Sequence, residues 1–174
     1  MVDSPSTRSE WAALSWQDAQ HEVARLINHY GFMIFEEKQL DQKQRSDVLV
    51  IRNDNDKVIF GIIEVKAYQN VTRSLQRKAM IQAVKYLNSV FIDAINNQRW
   101  GNKQKEFFVT VVYTNDYPAA FFQHHKADYE NFLDKELVEN YTLSLFSSTP
   151  NSFIRKLRQY TGYGHKQSKI DDYF

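Results

Sequence analysis

The stretch Lys57-Val-Ile-Phe-Gly-Ile-Ile-Glu64-Val-Lys66 decides the reading of this chain. It is apolar almost to its end, as a buried strand is, and then places a carboxylate and an ammonium two positions apart. In a strand, residues i and i+2 point to the same side, so Glu64 and Lys66 share one face. Opposite charges at the end of a buried strand are costly to desolvate unless something uses them. A divalent metal bound to phosphate is a natural user.

Upstream, Arg45-Ser-Asp47-Val-Leu-Val-Ile-Arg52 is a second apolar run that opens with an acid. Between the two runs lies Asn53-Asp-Asn-Asp56, whose side chains suit a tight hairpin joining antiparallel neighbours. Such a hairpin brings Asp47 beside Glu64. These residues resemble the PD-(D/E)xK nuclease superfamily, with Ser46-Asp47 standing where Pro-Asp often stands and Glu64-Val65-Lys66 as the ExK element. The fold this implies is α/β and restriction-endonuclease-like, a mixed central sheet flanked by helices.

The surrounding pattern agrees. Ser15 is a capping residue with Asp18 three positions on, and Trp16, Ala19, Val23, Leu26, Ile27 and Tyr30 follow at helical spacing before Gly31 supplies the stop. Glu22 flanks that apolar stripe. A strand through Glu36 comes next, then the Asp47 hairpin. This order resembles the resolvase-like and RecB-like branches of the superfamily, in which a helix glutamate joins the metal site. A long helical pattern runs over residues 71–97, carrying Gln82 and Tyr86 one turn apart. The pair resembles the Gln-xxx-Tyr element that often follows ExK in RecB-like nucleases. It equally fits a core tyrosine beside a solvated glutamine.

The resemblance implies a magnesium- or manganese-dependent deoxyribonuclease, with endonuclease the expected mode. Asp47 and Glu64 would ligate the metal, with the Val65 carbonyl available, and Glu22 would complete the site directly or through water. Lys66 would position or help deprotonate the attacking water and stabilise the transition state. Gln82 would orient the site and Tyr86 approach the nucleic acid.

Composition permits this reading without demanding it. The chain has 174 residues, 43% of them hydrophobic, enough for one compact core over about residues 15–160 behind a flexible segment of residues 1–14. Formal net charge is +1, so no global basic field announces DNA. Local phosphate contacts are expected at Lys43, Arg45, Arg73, Arg77 and Lys78, with Arg155, Lys156 and Arg158 adding a basic final helix. Each of these also suits an ordinary solvated surface. Cysteine is absent, which excludes disulfides and thiolate zinc sites. His124 and His125 diverge on a helix and, like His21 and His29, read as structural or surface residues. The start lacks an apolar signal core and no segment has membrane-spanning length, so a soluble intracellular protein is expected.

Residues 105–114 read as a strand covered on both faces, Pro118 opens a helix carrying Phe121, Phe122, Phe132 and Leu133, residues 141–146 form a strand, and Thr149-Pro150 caps a helix reaching about Tyr160. The expected order is therefore helix, three strands, helix, strand, with helix, strand and helix appended.

Residues 161–174 are expected to be a flexible tail. Its end reads Gln167-Ser-Lys-Ile170-Asp-Asp-Tyr173-Phe174, in which i, i+3, i+4 spacing gathers Ile170, Tyr173 and Phe174 on one helical or 3₁₀ turn beside Gln167. This resembles a PIP box, the peptide by which replication and repair proteins dock on the sliding clamp PCNA. It implies recruitment to DNA during replication or repair, and a nuclear location if the source is eukaryotic, cytoplasmic otherwise. Cutting both strands would require a homodimer or sequential nicking. Two other readings are open: a non-catalytic DNA-structure-binding adaptor on the nuclease fold, and a restriction or homing endonuclease unconnected with the clamp.

Overall fold

In the computed structural model, residues 5–39 and 46–162 are described. The elements are α1 (Arg8–Ala12), α2 (Trp16–His29), β1 (Met33–Gln39), β2 (Ser46–Asn53), β3 (Lys57–Lys66), α3 (Arg73–Asn96), β4 (Gln104–Tyr113), α4 (Ala119–Glu130), α5 (Lys135–Asn140), β5 (Thr142–Ser148) and α6 (Pro150–Thr161). A mixed five-stranded sheet in the order β1-β2-β3-β4-β5 lies between helical layers. The first two pairings are antiparallel and the last two parallel. The α/β architecture and its core order, helix, three strands, helix and strand, are those expected from the sequence.

Strand alternation assigns the layers. Leu49, Ile51, Val58, Phe60, Ile62, Val109 and Val111 face α3, α4 and α5. Val48, Val50, Ile59, Ile63, Val65, Phe108 and Val112 face α1, α2 and α6. Both faces of β3 and β4 are thus buried, which is why these runs carry almost no polar residues before their ends. Gly61 is required by one such contact. A Cβ there would lie 2.1 Å from the Phe108 ring, which crosses it from the paired position on β4.

Local signals set the boundaries. Ser15 caps α2 by accepting from the Asp18 amide at 3.1 Å, and Gly31 ends it at φ 80°. Thr149 and Ser152 form a reciprocal capping box on α6, with Pro150 in its first turn. The β2–β3 hairpin closes through Asp54 N to Lys57 O at 2.9 Å.

Two expectations need correction. Residues 1–14 are not wholly a flexible leader, because α1 lies within them and buries Trp11 to 2% exposure in the α2–α6 layer. A lone large aromatic is enough to dock a short helix. The helix opening at Pro118 does not run on through Phe132 and Leu133, but ends at Glu130, with Asp134 capping the separate α5. Among the described residues, no helix is long and apolar enough to cross a membrane.

Candidate active site at the carboxyl end of β3

β3 ends on Glu64 and Lys66, which are 1% and 2% exposed and form an ion pair with each other. Sheet parity turns both toward the α3 layer, the side that Phe60 and Ile62 also face. The hairpin register pairs Asp47 with Glu64 across β2 and β3, as the turn residues predicted. The Asp47 side chain lies outside the described residues, as do Lys43, Arg45 and the tail positions Gln167, Ile170, Tyr173 and Phe174.

Glu22 sits elsewhere. It lies on α2, which packs on the opposite face of the sheet through Ala19, Val23, Leu26 and Ile27. Its half-buried carboxylate accepts from Arg25 Nε at 3.1 Å. The sequence correctly placed Glu22 beside the apolar stripe, but the stripe fixes only the helix face and not which side of the sheet the helix covers. Among the described residues, no group of three His, Cys, Asp or Glu is poised to hold a metal ion.

The Val65 carbonyl accepts a hydrogen bond from the Trp16 indole at 3.3 Å. A carbonyl oxygen has two lone pairs, so this bond orients the group without exhausting it. Trp16 thereby ties the start of α2 to the ExK strand. The sequence showed it only as a member of the helix stripe.

On α3, Tyr86 is buried within the core on the Glu64 side of the sheet, and Gln82 is half-buried one turn earlier. A third α3 residue was not anticipated. Gln76 is 2% exposed, donates Nε2 to the Pro118 carbonyl at 3.1 Å, and leaves Oε1 buried with no hydrogen-bond partner among the described residues. It lies in the first turns of α3, close in sequence to the end of β3. A glutamine at an apolar helical position was its available signal. Arg73, Arg77 and Lys78 are exposed, with the Arg73 guanidinium 4.3 Å from the Phe121 ring centroid. Arg158 donates to the Tyr30 hydroxyl at 3.0 Å, while Lys156 lies over the Phe146 ring.

Tyrosines complete the surroundings. Tyr113 is paired with Lys66 across β3 and β4. Burial pushes its phenol far above the ordinary range, and the Glu64 carboxylate and the neighbouring Tyr129, Tyr117 and Tyr68 push the same way. Tyr113 therefore remains a neutral O–H group and is not a candidate base. The Lys66 ammonium lies 5.7 Å from the Tyr68 ring centroid, within cation–π range. The carboxylate and ammonium thus occupy a dry, aromatic-walled position at a strand end.

No family model matches the sequence, and the search of curated proteins found no match. Among solved structures, the restriction endonuclease FokI is similar at a TM-score of 0.46 and 17% identity, over 86% of this chain. The chain spans 25% of that protein's length.

Proposed function

We propose that this chain is a divalent-metal-dependent nuclease that hydrolyses phosphodiester bonds in DNA. The supporting observation is the buried Glu64–Lys66 ion pair at the end of a central strand, with Asp47 in register opposite Glu64. A folded core gains little from a buried ion pair compared with apolar packing, so its presence calls for a chemical reason. The donor set suits magnesium or manganese: carboxylates at Asp47 and Glu64 and the oriented Val65 carbonyl are hard oxygen ligands. Bound there, the cation would neutralise charge on the phosphoryl oxygens and lower the pKa of a water.

The chain's own residues have separable tasks. Lys66, held between Glu64 and the Tyr68 ring, would place a positive charge beside the attacked phosphate. Trp16 would hold the Val65 carbonyl in position. Glu22, on the opposite layer and paired with Arg25, would join the site only through water. Gln82, half-buried on the helix covering this face, would orient the site, while Tyr86 packs in the core one turn on. The exposed Arg73, Arg77 and Lys78 would contact DNA phosphates.

Recruitment by PCNA is proposed from the sequence of Gln167, Ile170, Tyr173 and Phe174. A clamp tether replaces a bimolecular search with a high local concentration, which suits a chain of net charge +1. The decisive experiment incubates branched, flapped, single-stranded and duplex DNAs with the chain and magnesium or manganese, with and without clamp. Metal-dependent cleavage that Lys66→Ala abolishes supports the proposal. DNA binding without cleavage, unchanged by Lys66→Ala, would replace it with the adaptor reading.

A further inference from the structure

A cavity of about 210 Å³ opens on the Glu64 side of the sheet, between β1, β2, β3 and α3. Its floor is apolar, made by Leu49, Ile51, Phe60 and Trp100, with the Phe60 and Trp100 rings 5.4 Å apart and edge to face. Its rim is polar. Ser89, Asp93 and Asn97 line it at four-residue spacing, which sets them in one row along α3 and its cap. Aromatic walls below a hydrogen-bonding rim suit a planar heterocycle.

The mouth is built by an irregularity in β1. The β1–β2 register slips between Ile34 and Glu36, so Phe35 is an extra residue without a partner on β2. Such a bulge re-aims a side chain, and here Phe35 lines the cavity beside Leu49 and Ile51 while remaining 52% exposed. The Arg99 guanidinium lies 5.4 Å from the Phe35 ring centroid and 4.9 Å from that of Trp100, within cation–π range of both. Nucleobases stack on aromatic rings and on guanidinium planes alike. An exposed phenylalanine and an arginine held at one mouth therefore offer a base two stacking surfaces.

The rim selects an edge of that base. The Asp93 carboxylate, unpaired among the described residues, offers acceptors only. One turn on, Asn97 accepts from the Arg99 amide through Oδ1 at 2.9 Å, which leaves its Nδ2 group as a donor. Acceptors beside a donor complement the Watson–Crick edge of guanine, whose N1–H and N2–H₂ donors adjoin the O6 acceptor. Adenine would set its N1 lone pair toward the carboxylate. We propose that this cavity takes an unpaired guanine of the strand engaged at Glu64 and Lys66. Leu49 pairs with Ile62, two residues before Glu64 and on the same face, so the cavity begins roughly 7 Å along β3 from that carboxylate position. A paired base cannot present this edge, so the substrate is single-stranded or flapped DNA. That role rests on the nuclease reading, whereas recognition of the base does not.

The test uses the full chain and the indole N–H resonances of Trp11, Trp16 and Trp100, titrated without metal with the monophosphates of guanosine, adenosine, cytidine and thymidine, and with ribose phosphate. Guanosine monophosphate should shift Trp100 selectively and bind about tenfold tighter than the others. Asp93→Asn should remove that preference, and Phe35→Ser should weaken every base about tenfold, both with the thermal midpoint near wild type because the two residues are exposed. Single strands carrying one guanine should then outbind guanine-free strands and the same guanine in a duplex. A silent Trp100, equal responses to all four nucleotides or to ribose phosphate, or an Asp93→Asn protein that still prefers guanine overturns the inference. Equal binding of strands with and without guanine overturns its role on the substrate. If Trp100 responds selectively yet the wild type cuts no DNA with magnesium or manganese, the nuclease reading falls and the base cavity stands. If it cuts while Trp100 stays silent, the reverse holds.

Discussion

Replacing Lys66 with methionine keeps the length of the side chain and removes its charge. Glu64, 1% exposed, then loses the ammonium with which it is paired. Breaking one side of a buried pair costs roughly 3–5 kcal/mol, because the remaining charge stays desolvated without compensation. That is a large part of the total stability of a domain this size, about 5–15 kcal/mol, and raises the unfolded fraction roughly a hundredfold or more. Glu64→Gln should destabilise comparably, by stranding Lys66. The double variant Glu64→Gln/Lys66→Met should recover most of the loss, since it removes both charges together.

Urea unfolding at neutral pH measures all four proteins, and the double-mutant cycle gives the coupling. Burial favours the neutral form of the lone carboxyl in Lys66→Met, raising its folded pKa above that of the unfolded chain. Stability of that variant is therefore fully present below the unfolded value and falls as pH rises above it. Magnesium supplies a further test. If Asp47 and Glu64 hold the cation, magnesium should stabilise Lys66→Met more than the wild type, where Lys66 already compensates the carboxylate. A Lys66→Met protein within about 1 kcal/mol of wild type, together with additive single variants, would refute a desolvated, mutually dependent pair.

Gly61→Ala should destabilise by about 1–3 kcal/mol in urea unfolding, because the new Cβ meets the Phe108 ring, and Phe108→Leu should relieve part of that loss. Trp16→Phe removes the indole donor to the Val65 carbonyl and should cost about 1 kcal/mol of stability while weakening magnesium-dependent cleavage. Burial outweighs the Ser144 hydroxyl and pushes the Tyr160 phenol up from 10.0 to about 12. The folded state then keeps a proton that the unfolded chain releases, so stability present below pH 10.0 is lost as pH rises through about 12. Alkaline unfolding of wild type should show about 2–3 kcal/mol more loss across that window than Tyr160→Phe.

The strands were legible because two-sided burial leaves a continuous apolar run, and β3 and β4 each fill one. The hairpin register followed from the turn residues, which leave little freedom in how Asp47 meets Glu64. What the sequence could not convey was three-dimensional sidedness. Glu22 occupies the helix position read from its stripe, yet nothing in a helical period says which face of a later sheet that helix covers. Trp11 was missed for the opposite reason, since a five-residue helix is too short to show a period at all. Gln76 offered only its apolar helical position, and Thr114 nothing, because a polar residue in an apolar pattern reads as a solvated edge until packing closes over it. Their burial is a tertiary fact.

Net charge of +1 argues against a chain that binds nucleic acid through a broad basic surface. The topology offers a local substitute. Parallel pairing makes β3, β4 and β5 end at one edge, and the chain passes from them by short connections into α3, α4 and α6. Helix starts carrying partial positive charge therefore gather where Lys66, Tyr113 and Ser148 finish their strands. Arg8, paired with Asp116, and Arg155 flank the edge, and the buried Glu64 is a carboxylate near the end of β3. Such a field is short-ranged and pointed, so it suits positioning individual phosphates better than drawing DNA from a distance. That division leaves long-range delivery to something else, which is the role a clamp-docking tail would fill.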